Sequence, residues 1–380
     1  MSEDRKIERI ARAGLSRVVE PGDVNTDEVL AGGTAMEAWD RLRGGGPGHE
    51  QYAARLAVAD PAKDLDQIHA AGGRFVIPGD NDWPEQLDVL AESGEISRRG
   101  GVPFGLWVRG AADLGALTTR SVAVVGARAC SAYGEHVAGE LGAGLADEGV
   151  SVVSGGAYGI DAAAHRGALA APGPTIAVLA CGADVGYPKG NAALFDRIVT
   201  DGLVVSELPP GCSPTRLRFL ARNRLIAALT AGTVVVEAAA RSGALNTGSW
   251  AERCSRVVMA VPGPVTSSSS HGAHILIREK GAVLVTGVAD ILEAIAPLGQ
   301  HMTRYPRGET RPTDRLSELA QRVLDAVPIG RGVTVGTICR TAGLSDDAAR
   351  TGLDELSHAG LIEKHGAAWR LSRQRMEEIL

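Results

Sequence analysis

The sequence predicts an α/β protein built on a large, mostly parallel sheet. First, short β-branched runs recur between residues 121 and 286: SVAVV (121–125), VSVVS (150–154), TIAVLA (175–180), LVVSE (203–207), TVVVE (233–237), VVMAV (257–261) and AVLVT (282–286). Second, each run is followed by Gly or Pro and, in most cases, by an Ala/Leu-rich helical stretch. Apolar strands alternating with helices read as a sheet covered on both faces. Third, glycine makes up 49 of 380 residues while aromatics are only 4%. That composition fits many tight strand-to-helix turns around a core of Ala, Val, Leu and Ile. Sheets of this kind bind ligands outside the carboxyl ends of their strands.

In chain order, residues 1–70 read as a small helical unit with Ile7, Ile10, Leu15 and Val18 as its apolar spacing, interrupted by turns at 21–23 and 44–48. Residues 71–296 read as the sheet-bearing core. Its first part carries GDNDWPEQL (79–87) and the run FGLWVRG (104–110), expected to enter the sheet as a strand. The stretch 297–312 holds three prolines and little apolar content, and reads as a linker. From 313 to 380 three short helices and a hairpin around His365–Gly366 form the pattern of a winged helix, with Ser345 as the N-cap of the third helix.

Composition excludes several classes. A charged N-terminus predicts no secretory leader, and no apolar stretch is long enough to span a bilayer. The five cysteines form no C-x-x-C pair, so neither a cysteine zinc site nor a disulfide framework is expected, and a reduced cytoplasm fits. Net charge is −6, which argues against a general basic coat but leaves room for a local basic groove. No H-E-x-x-H, G-x-S-x-G or Walker lysine is present, and several anion sites without an evident nucleophile or metal favour a binder over a hydrolase. No cofactor is expected.

Four constellations carry chemistry. In VAVVGARACSAYG (122–134) a strand ends at Gly126, whose following amides can face a phosphate, and Arg128 supplies a bidentate donor; a tight turn with a solvated arginine is the plain alternative. In VVSGGAYGIDAAAHRGAL (152–169), Gly155 and Gly156 sit in a possible phosphate nest. The spacing is not G-x-G-x-x-G, so NAD is not indicated. Asp161 faces the ligand or caps the helix, and His165 pairs with it or is structural. The third is a cationic island: no acid falls between Glu207 and Glu237, while Arg216, Arg218, Arg222 and Arg224 lie close together with Phe219 among them. Arginines track phosphates and an aromatic ring can stack on an unpaired base, but Phe219 fits a core position as well. In the fourth, GTVVVEAAARSGALNTGSWAE (232–252), Arg241, Ser242, Gly243 and Thr247 reach a helix N-terminus, and Glu237 is expected to position an arginine.

These motifs, with YPKGNAALFDRI (187–198), SELPPG (206–211), ARNRLIAALTAGTVVVEAAARSGALNT (221–247) and VPGPVTSSSSHG (261–272), resemble the DNA-processing protein A (DprA/Smf) family. The resemblance implies a small SAM-like helical domain and an extended Rossmann-like domain that binds single-stranded DNA. It also implies a homodimer that loads a RecA-type recombinase in natural transformation. Carried over by motif, Arg128 would hold a DNA phosphate, Phe219 and Arg222 would line the groove, Arg224 would support it, and Asn223 belongs to the same segment. Tyr158 stands where the family usually has a basic residue. A second reading is a nucleotide-processing, Rossmann-like phosphoribohydrolase using Glu237 and Arg241. A third makes the winged helix a duplex reader, against which eight acids balance eight bases from 313 to 373.

Overall fold

The computed structural model describes residues 2–23, 33–297, 300–301 and 311–372. The chain divides into two compact units, Met1–Thr303 and Arg304–Leu380. The first contains strands β1 (Gly73–Val76), β2 (Glu95–Ile96), β3 (Arg99–Gly100), β4 (Leu106–Arg109), β5 (Ser121–Val125), β6 (Ser151–Ser154), β7 (Thr175–Leu179), β8 (Leu203–Ser206), β9 (Gly232–Val235), β10 (Val257–Ala260) and β11 (Val283–Leu284). Among the described residues nine of these form one sheet in the order β1-β4-β8-β7-β6-β5-β9-β10-β11, and β2 and β3 pair separately. The strands from β8 to β11 run parallel, while β1 and β4 add an antiparallel edge. The fold is therefore the mostly parallel α/β sheet that the strand runs predict.

Successive residues of β5 explain the two-sided covering. Val122 and Val124 pack with the helices Ala132–Asp147 and Ile160–Ala170, while Ala123 and Val125 pack with Leu225–Leu229 and Trp250 on the other face. The first two helices meet through glycines. A Cβ on Gly167 would strike the backbone of Gly139, and one on Gly142 the backbone of Ala164. After β8 the chain returns to lay β9 beside β5, so the strand order reverses between β5 and β9. A crevice opens outside the carboxyl ends of strands at such a reversal.

The N-terminal helices share this unit. The Glu3–Val18 helix buries Ala11, Leu15 and Val18, whereas Ile7 and Ile10 are exposed, contrary to the apolar spacing expected there. The helix is set by Gly14, where a Cβ would come within 2.6 Å of the Trp39 ring. Small residues let Trp39 close in, and the buried stripe turns toward it. Trp107 of β4, fully buried, donates from Nε1 to Ser16 at 3.3 Å, and Arg17 pairs with Asp64.

The second unit holds helices Glu318–Asp325, Val335–Ala342 and Asp346–His358 and an antiparallel hairpin of β12 (Ile362–His365) and β13 (Ala368–Leu371). Ser345 caps the third helix by accepting from the Ala348 amide at 3.3 Å. Leu324, Ile338, Leu353, Leu356 and Leu371 form its core. Among the described residues no helix is long and apolar enough to cross a membrane, and no cluster of His, Cys, Asp or Glu is placed to hold a metal. All five cysteines are free.

Candidate nucleic-acid interface

The crevice between β5 and β9 is a cleft of about 740 Å³. It gathers Gly126 and Arg128 from the β5 loop, Asp161 after β6, Tyr187 after β7, and Arg216, Phe219, Arg222 and Asn223 from the Arg216–Ala228 helix. Arg241, Ser242, Gly243, Asn246 and Thr247 come from the start of the Gly243–Arg253 helix. Residues more than a hundred positions apart thus face one another because the loops and helices that follow several strands converge on one cleft.

The arginines of the cationic island sort into two sets. Arg224 is fully buried and bound to Glu207 at 2.7 and 2.8 Å and to the Gly100 carbonyl at 3.2 Å. It does not face the cleft, which corrects its expected place at the groove. Arg218 holds Glu20 bidentately at 2.8 and 3.0 Å. Burial is the largest single influence and would raise the Glu20 carboxyl, but the bond from Arg218 together with the charges of Arg218, Arg55 and Arg99 holds the group below its usual range. Glu20 lies far from Arg218 in sequence, and Glu207 stands at the very edge of the acid-free window, so counting acids inside that window revealed neither partner.

The second set keeps its charge for the cleft. Arg128, Arg216 and Arg241 are exposed, and none forms an ion pair with a described carboxylate. Arg222 is buried, donating to the Gly155 and Val178 carbonyls and, at 3.2 Å, to Asn223 Oδ1. Burial pushes its guanidinium down to about 10 against the attraction of Asp161, so it stays charged at neutral pH. The Arg128 guanidinium lies 4.6 Å from the centre of the Phe219 ring and that of Arg222 5.9 Å, cation–π contacts that fix the ring at the cleft wall. Tyr187 stands 6.0 Å from Phe219, ring to ring. Asn223 donates from Nδ2 to Asn246 Oδ1 at 3.1 Å, tying the two helices together across the cleft.

Both amide turns expected to hold a phosphate are filled by the chain's own carboxylates. Glu237 accepts from the Ser131 amide at 2.8 Å and hydroxyl at 2.6 Å and from the Ser269 hydroxyl at 3.0 Å, at the N-terminus of the Ala132–Asp147 helix. The Ala127 amide donates to the Glu237 carbonyl at 2.8 Å. Gly134 leaves the space that this carboxylate occupies. Glu237 therefore organises serines, where an arginine partner was expected. In the second turn Asp161 accepts from the Gly155 and Ala157 amides at 3.2 and 3.4 Å, and burial raises its carboxyl. Gly155 and Gly156 are buried and lie outside the cleft wall, which corrects their expected role as a phosphate nest. Gly155 instead makes room for Arg222, whose guanidinium a Cβ would strike.

His165 is structural. Thr175 Oγ1 donates to the Val152 carbonyl at 2.7 Å and so accepts from His165 Nδ1 at 2.7 Å; the ring is the Nδ1–H tautomer. Burial pushes it down to about 3. Sequence reasoning missed Tyr187 and left Arg216 out of the groove, although YPKGN and the island contained both.

Fold and cleft together define a class: a doubly wound α/β protein whose crevice, at the reversal of strand order, is cationic and aromatic, with two of its amide turns taken by the chain's own carboxylates. A family model described as DNA recombination-mediator protein A matches residues 74–296. A Mycobacterium tuberculosis DprA relative is 46% identical over 96% of this chain and 94% of its own length. The DNA processing protein DprA of Streptococcus pneumoniae is 48% identical over half of this chain and 66% of its own. The solved structure of that Streptococcus pneumoniae protein superposes with a TM-score of 0.60 at 34% identity, covering 75% of this chain and 96% of that one. DNA processing protein A of Helicobacter pylori, whose structure was described for its single-stranded DNA binding mode, gives 0.50 at 26% identity over 58% and 94%. The chain belongs to the DNA recombination-mediator protein A (DprA/Smf) family.

Proposed function

We propose that the cleft binds single-stranded DNA and that the protein is a recombination mediator working without catalysis of its own. The observation that carries this is the set of exposed guanidiniums, Arg128, Arg216 and Arg241, lining one cleft with the Phe219 ring, over which Arg128 lies. Guanidiniums track a phosphate chain, and an aromatic wall takes unpaired bases whatever their identity. The single-strand binding described for the Helicobacter pylori relative supports the same reading. Loading of a RecA-type recombinase in natural transformation, and a homodimer as the working form, extend the proposal and draw their support from family membership.

The test is a comparison of labelled single- and double-stranded oligonucleotides against the full chain over a range of salt. Single strands should bind more tightly. Arg128→Ala and Arg241→Ala should each weaken binding and reduce the salt slope by roughly 0.7 for every phosphate left without its arginine. Unchanged affinity and slope in both variants would place the groove elsewhere. The phosphoribohydrolase reading is disfavoured by Glu237, which is buried and committed to Ser131 and Ser269.

A further inference from the structure

We infer that Tyr187 is a second stacking platform for a base of the bound strand, and the more open of the two; this rests on the single-strand reading above and deepens it. Phe219 is half-buried, with the Arg128 guanidinium 4.6 Å over its ring. A base approaching that face meets the guanidinium first. Tyr187 is 41% exposed on the wall of the same cleft, and its hydroxyl makes no hydrogen bond with a described residue. The loop that carries it is anchored. Asn191 donates from its amide to the Pro188 carbonyl at 2.9 Å and from Nδ2 to the Gly156 carbonyl at 3.0 Å. The ring is thus presented to the cleft on a held backbone, which lowers the ordering cost of binding.

The two rings stand 6.0 Å apart with their planes at 52°. One base clamped between two rings needs parallel faces about 7 Å apart, twice the roughly 3.4 Å base rise. The observed pair is too close and too tilted for that, so each ring takes its own base. Neighbouring bases laid on planes at this tilt cannot stay stacked on each other. A duplex keeps its bases parallel and paired, whereas a single strand gives up stacking at small cost. The tilt therefore favours an unstacked single strand.

The experiment uses the full chain, a short oligothymidylate, and the same oligonucleotide carrying 5-iodouracil for photocrosslinking. Tyr187→Phe keeps the ring and should bind within about two-fold of the parent, whereas Tyr187→Leu should lose about ten-fold. That loss should come with an unchanged salt slope, because every cation facing a phosphate stays in place, while Arg128→Ala changes the slope. Crosslinked peptides should contain Tyr187. Parental affinity in Tyr187→Leu, or crosslinks confined to other segments, would overturn the platform while leaving single-strand binding standing. A loss in Tyr187→Phe as large as in Tyr187→Leu would overturn stacking in favour of the hydroxyl. If the parent itself fails to bind the oligonucleotide, the underlying reading falls, and the platform with it.

Discussion

At the scale of single residues, partner geometry decides what an arginine is for. Arg222 and Arg224 are two positions apart on one helix, yet one lines the cleft and the other is locked to Glu207. Arg224→Ala strands a buried carboxylate and is expected to cost roughly 3–5 kcal/mol, read as a lowered denaturation midpoint. Arg241→Ala should leave that midpoint unchanged and weaken only DNA binding, since Arg241 is exposed and pairs with no described carboxylate. His165 makes a pH prediction. The folded chain keeps it neutral down to about 3 while the unfolded chain protonates near 6.5. Its contribution to stability is therefore whole above pH 6.5 and is lost as pH falls toward 3, at about 1.4 kcal/mol per pH unit. His165→Gln, which cannot titrate, should show a shallower loss of stability between pH 6.5 and 5 in denaturant titrations; parallel curves would refute this.

At the scale of elements, helices are placed by what glycines admit. Gly167 and Gly142 let Ala132–Asp147 and Ile160–Ala170 touch backbone to backbone. Gly167→Ala should force them apart and cost roughly 1–3 kcal/mol, seen as a lower melting temperature with single-strand affinity retained after refolding at low temperature. Glu237 has a different reach. It ties the turn after β5 to the 267–270 segment through Ser131 and Ser269. Glu237→Ala should lower stability by about 1–3 kcal/mol and also weaken single-strand binding, because the Arg128 turn loses its anchor. A variant that is destabilised yet binds as the parent does would show that the turn holds itself.

At the scale of the whole molecule, the chain separates at residues 303 and 304. The cleft is complete within the first unit, since every residue lining it lies between Val125 and Thr247. A protein ending at residue 303 is expected to fold and to bind a single-stranded oligonucleotide with the parental salt slope. A folded truncation with no binding would assign an essential DNA contact to the C-terminal unit. The balanced charge of that unit agrees with an auxiliary role.

The strand runs between 121 and 286, read with the glycine count, were enough to determine the parallel sheet, because strands buried on both faces must be apolar throughout. Strand ends pointed to Arg128 and the 241–247 turn, and the cluster of arginines pointed to Phe219 and Arg222; the fold brings all of them to one cleft. Strand β1 escaped the sequence reading: four residues behind a Gly-Gly turn carry too little pattern. The stripe on the first helix was misplaced because Ile7 and Ile10 are apolar but Gly14 decides which side Trp39 can approach. Tertiary structure alone decided which charges remain available. Glu20, Glu207, Asp161 and Glu237 each reach a site fixed by folding, two to neutralise arginines and two to fill amide turns. Charge along a sequence shows what is present, whereas pairing depends on distance in space, and only the folded chain sets those distances.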